Sequence, residues 1–150
     1  MSRLVSLCVF LAISVGGGLL IGTVSRPGPW YAALAKPSFN PPSWVFAPVW
    51  TTLYVMIGVA GWRAWLADGG PTAMRLWAAQ MALNFSWSPI FFVLNAPALA
   101  LAIILALLAV IFAFIVASWP RDRLAGWLFV AYAAWVGFAS VLNAAIVWLN

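Results

Sequence analysis

A chain of 150 residues that is 67% hydrophobic and 6% charged is excluded from the water-soluble domains, because a fold of this size has too little interior to hide that much apolar surface. Seven basic against two acidic residues give a net charge of +5, too scattered for a nucleic-acid footprint and suited to anchors at lipid headgroups. A lone Cys8 and the absence of His exclude an intramolecular disulfide and leave no expected metal site.

Leu4 to Val24 reads as a first membrane span rather than a cleaved signal. The apolar run is long, lacks a small-residue cleavage site and reaches roughly 31 Å as a helix. Gly18-x-x-x-Gly22 within it is a helix close-packing pattern.

The stretch Trp30 to Tyr54 organises the rest. Pro37, Pro41, Pro42 and Pro48 fall in it, and each proline removes an N–H donor and fixes φ. A stiff, aromatic connection between two spans is read as the lid of a small-molecule pocket. Ser43 is the expected N-cap of a second span over about 44–65, with Pro48 making the helix bend or start late.

Asp68-Gly69-Gly70-Pro71 reads as a turn. From Leu76 to Pro120 no residue is charged, and one helix of that length would reach roughly 68 Å, about twice the hydrocarbon thickness. The run must therefore fold back, and Asn95-Ala96-Pro97 is the turn. This gives spans over about 72–94 and 97–118, and a fifth over 124–149 after the turn Trp119–Arg123. The expected fold is one domain over residues 1–150: an all-α membrane protein, a bundle of five transmembrane helices with a long Pro-rich first loop. Arg3, Arg63, Arg75, Arg121 and Arg123 then share one side, so the positive-inside rule predicts a cytoplasmic N-terminus in a multi-pass bacterial protein.

Gln80, Asn84 and Trp87 fall along one helix face, with Phe91 four residues further. Buried amides in hydrocarbon need partners, so this face looks into the bundle. Asn84 either ties helices together or offers a hydrogen bond to a ligand, and the two roles are compatible. Ala78, Ala82 and Ser86 form a small-residue ladder suited equally to a homodimer seam or an internal contact. Tyr132, Trp135, Ala139 and Asn143 line one face of the last span. Trp50 and Trp135 lie too deep to be interfacial anchors, unlike Trp127 and Trp148. Two deep indoles with an amide and a small Ala139 describe a concave, mostly apolar site for a large flat guest. The spans hold no carboxylate, Lys or Arg for ion coupling, and no nucleophile–base pair.

These residues carry a resemblance. W-Y-x-x-L-x-K-P-x-x-x-P-P-x-W-V-F-x-P-x-W-T-x-L-Y from Trp30 to Tyr54 resembles the TspO/MBR family. Gln80-x-x-Leu83-Asn84-x-x-Trp87 and Tyr132-x-x-Trp135-x-x-Phe138-Ala139-x-x-Leu142-Asn143 continue the likeness. The resemblance implies five helices around a pocket closed by the first loop, porphyrins and drug-like apolar molecules as ligands, no required cofactor, and a homodimer in the bilayer. It places Trp30, Tyr31 and Pro41 in the lid, and Trp50, Asn84, Trp87, Trp135, Ala139 and Leu142 on the pocket wall. It also implies an alternative activity, photo-oxidative porphyrin breakdown supported by Trp50 and Trp135. A third reading is an accessory membrane subunit with no ligand of its own. Two positions depart from the family pattern. Phe39 stands where Trp is frequent, which weakens lid stacking, and Ala131 where Pro is frequent, which removes a kink. No basic residue follows Tyr132, so the proposed sterol motif is absent.

Overall fold

The computed structural model describes residues 1–68 and 70–150, and among them every regular element is helical. Helix α1 covers Arg3–Val24, α2 Pro29–Ala33, α3 Phe46–Leu66, α4 Gly70–Ser88, α5 Pro97–Ser118 and α6 Arg123–Leu149. Four of these, α1, α3 with its entry turn, α5 and α6, are long and apolar enough to cross a membrane. The fifth long helix, α4, is less apolar because it carries Arg75, Gln80, Asn84, Ser86 and Ser88. Gly69, part of the predicted Asp68–Pro71 turn, lies outside the described residues.

Local chemistry explains the irregular points. Helix α1 passes through a π turn at Ala12–Gly16, where the buried Ser14 hydroxyl donates back to the Phe10 carbonyl at 3.0 Å. Before α3 the chain makes a 3₁₀ turn, Ser43–Val45. The Ser43 side chain does not cap the helix as expected, because α3 begins only at Phe46. Pro48 therefore falls in the first turn, where its missing N–H costs no hydrogen bond. Pro89, inside the predicted third span, is accommodated by a second π turn, Pro89–Val93, in which the Leu94 N–H reaches the Pro89 carbonyl at 3.0 Å. Asn95, at φ 51°, turns the chain into α5, which opens on Pro97. Asp122 caps α6 by accepting from the N–H groups of Leu124 and Ala125.

The long helices form a ring in the order α1, α3, α6, α5, α4, and α4 closes it against α1. One end is solid. Ile57, Ala60, Ala64, Ala73, Trp77, Phe114, Ala125 and Phe129 are buried there, and the Trp77 indole donates to the Ile57 carbonyl at 3.0 Å. Gly61 is required at this end, since a Cβ would collide with the Trp77 ring. Arg63 pairs with Asp122 at 2.9 Å, and the Trp62 indole donates to the Arg3 carbonyl at 3.1 Å. The helix ends that carry Arg3, Arg63 and Arg123 thus share this side of the bundle.

At the other end the helices part. The predicted glycine pattern splits in its effect. At Gly18 a Cβ would collide with the Tyr54 ring, whereas at Gly22 no atom approaches within 4 Å. Of the small-residue ladder on α4, Ala78 and Ala82 are exposed and Ser86 is half-buried.

Candidate functional site

Between the parted helices lies a cavity of about 780 Å³. Three helices supply its aromatic wall. Phe46, Trp50 and Tyr54 recur every four residues on α3 and so share a face. Trp87 and, in the π turn, Phe91 and Phe92 come from the α4 side. Trp135, Ala139, Leu142 and Asn143 come from α6. Phe46 and Trp135 meet edge to face at 6.0 Å across the cavity side of α3 and α6. Gly18, Leu19, Gly22, Ala47 and Thr51 also border the space. All of them except Gly18 are exposed.

The polar floor is a chain of hydrogen bonds that joins three helices. Tyr54 donates its hydroxyl to Asn84 Oδ1 at 2.7 Å, Asn84 Nδ2 donates to the Tyr132 hydroxyl, and Tyr132 donates to Gln80 Oε1 at 3.0 Å. Tyr132 and Gln80 are fully buried and Asn84 nearly so. Asn84 thus acts as a strut between helices, with one amide hydrogen and one lone pair left over. A second strut stands nearer the mouth, where the Trp87 indole donates to Asn143 Oδ1 at 3.1 Å and Asn143 Nδ2 donates to the Pro97 carbonyl at 2.9 Å. The Trp135 Nε1–H is buried without any partner among the described residues. A buried, unused donor in an apolar wall is costly unless a guest or water satisfies it.

The loop over the mouth is pinned at several points. Tyr31 packs edge-on against Phe92 at 5.3 Å, and Trp30 against Phe91 at 5.8 Å. Lys36 Nζ donates to the Tyr31 carbonyl at 2.7 Å and sits 4.5 Å from the centre of the Tyr31 ring. Asn150 clamps the loop from the far terminus: its side chain accepts from the Ala35 N–H and donates to the Ala35 carbonyl. The Ser25 and Ser88 hydroxyls are 2.8 Å apart at the loop entrance. Burial pushes the Tyr31 phenol above its ordinary pKa, against an opposing hydrogen bond from Asn40. Phe39 is half exposed and 6.4 Å from Phe138, a loose contact.

Of the residues predicted for the site, Tyr31, Pro41, Trp50, Asn84, Trp87, Trp135, Ala139 and Leu142 all border the cavity. Trp30 does not, and serves the lid through its contact with Phe91. Sequence reasoning missed Tyr54, although its spacing from Trp50 places both on one face. It also missed the contribution of α1, and gave Lys36 no place in the site. Among the described residues no group of three His, Cys, Asp or Glu comes together to hold a metal.

The sequence profile of the TspO/MBR family matches residues 6–149. Protein CrtK of Rhodobacter capsulatus is 37% identical over 145 residues, covering 94% of this chain and 89% of the relative. The tryptophan-rich sensory protein of Cereibacter sphaeroides is 38% identical over 141 residues, also covering 94% and 89%. The translocator protein of Homo sapiens is 40% identical over 119 residues, 76% of this chain and 70% of the relative.

Proposed function

The chain belongs to the TspO/MBR family, and we propose that it is an integral membrane receptor or carrier whose cavity takes porphyrins and related flat, apolar molecules, acting in tetrapyrrole homeostasis or stress signalling. The observation that carries this reading is the roughly 780 Å³ void walled by Trp50, Trp87 and Trp135. That volume lies within the ~300–1,000 Å³ of small-molecule sites, and indole faces suit an extended ring system. The names of the relatives, sensory protein and translocator protein, cover the receptor and the carrier versions alike.

In this reading α4 with its π turn is the fifth span, because its amides are spent inside the bundle rather than on lipid. The arginine-rich end faces the cytoplasm of a bacterium and the lid faces outward. The exposed Ala78–Ala82 strip is assigned to a homodimer seam.

Fluorescence-quenching titration with protoporphyrin IX tests the pocket. Trp135→Ala is expected to lower affinity about 10- to 30-fold, the effect of removing a central aromatic anchor, while the protein stays folded. Unchanged affinity would remove Trp135 from the site.

A second reading is porphyrin breakdown driven by light and dioxygen, favoured by Trp50 and Trp135 both lining the cavity. Illumination of the complex in air should then bleach the porphyrin band, and Trp50→Phe and Trp135→Phe should slow the loss. Equal bleaching in both variants would end that reading.

A further inference from the structure

Charge is unevenly placed around the cavity. Lys36 alone among the wall residues carries a formal charge. The chain has two acidic residues, and both lie at the opposite end of the bundle. Asp68 follows α3, and Asp122 caps α6 and is paired with Arg63, the only ion pair among the described residues. Lys36 is held by neutral groups. Its Nζ donates to the carbonyls of Tyr31 at 2.7 Å, Leu34 at 3.2 Å and, more weakly, Ala32 at 3.5 Å, and rests on the Tyr31 ring. These dipoles fix the position of the ammonium at the border of an apolar void, and no ion pair to it is formed among the described residues. At this half-exposed site an opposite charge gains an attraction stronger than in bulk water yet still screened by salt. Tyr31, Asn40 and Ser43, from the same connection as Lys36, also line the cavity.

We infer that Lys36 is a carboxylate-reading subsite: the guest lays its flat apolar body between Trp50 and Trp135 and turns an acidic group toward the lid. This rests on the reading that the cavity takes porphyrin-like molecules, and it narrows that class to acidic members over neutral ones. It also sets the direction in which the guest sits. A lysine that merely closed the carbonyls at the end of α2 would affect acidic and neutral guests alike.

The test uses protoporphyrin IX and its dimethyl ester, titrated separately into the full-length protein in non-ionic detergent. The wild type should bind the acid about tenfold more tightly than the ester, the size expected of a hydrogen bond to a charged group. That preference should shrink as salt is raised, whereas ester binding should not respond. In Lys36→Met the acid should lose about tenfold more affinity than the ester, so that the preference vanishes. An equal preference in wild type and variant, or no preference in the wild type at any salt, would overturn the assignment. Should neither compound bind the wild type, the porphyrin reading itself falls and the subsite with it. Equal weakening of both compounds in the variant would mark Lys36 as structural and overturn the subsite alone.

Discussion

The two ends of the bundle are made from the same helices and packed in opposite ways. At the Arg63 end, α3 presents Gly58, Ala60, Gly61 and Ala64, and its neighbours close to contact around Trp77, Phe114 and Phe129. At the lid end the same helix presents Phe46, Trp50 and Tyr54, and the neighbours stand apart around a void. Lipid tails are as apolar as leucine, so little hydrophobic force presses helices together, and van der Waals fit decides where they meet. Small residues let the backbones approach, and large rings hold them apart. The hollow is therefore written into the side-chain sizes along α3, with α1 following its outer edge. Between the two ends lies the strut Tyr54–Asn84–Tyr132–Gln80, which forms the cavity floor and the roof of the solid core at once.

Breaking the solid end should have the largest effect on stability. Phe114 is fully buried, with its ring 4.0 Å from that of Phe129. Phe114→Ala is expected to cost about 3 kcal/mol through lost contacts and an unfilled gap. Thermal unfolding in detergent would show it, and a cost below about 1 kcal/mol would mean that this end is loosely packed after all. Breaking the strut should cost less. Asn84→Ala removes one acceptor and one donor but leaves two tyrosine hydroxyls free to pair with each other or with water. Interhelical bonds in membranes average under ~1 kcal/mol each, so a loss of about 1–2 kcal/mol is expected. Porphyrin affinity should fall as the floor loosens. A variant as stable as the wild type, with full affinity, would deny the strut its role.

Sequence reading succeeded where one residue dictates local geometry. Pro97 opens a helix and Asn95 turns the chain before it, so the fold-back of the long uncharged run was legible. Tryptophans too deep to be interfacial anchors, Trp50 and Trp135, pointed inward for a reason visible in the chain alone. It failed where the outcome depends on a partner far away in sequence. Ser43 looked like a cap, yet the proline pair before it and Pro48 after it moved the helix start to Phe46. Pro89 was passed over, and a π turn absorbs it. Gly18 and Gly22 share one local pattern, but one receives the Tyr54 ring and the other faces open space. Nothing near Asn150 announces that it holds Ala35, 115 positions away. Ala131, in place of a frequent proline, leaves α6 unbroken from Arg123 to Leu149, as its helix propensity implies.

The central claim is that the lid end is hollow because it is a binding site, and ligand-induced stabilisation measures this most directly. Protoporphyrin IX at about 100 times its dissociation constant should stabilise the wild type by about 2.7 kcal/mol, seen as a raised melting temperature. In the Trp50→Ala, Trp135→Ala double variant the account predicts that this rise is lost while the ligand-free melting temperature changes much less than in Phe114→Ala. An equal rise in wild type and double variant, or none in either, would contradict the account and leave a helical membrane bundle with no ligand in its hollow half.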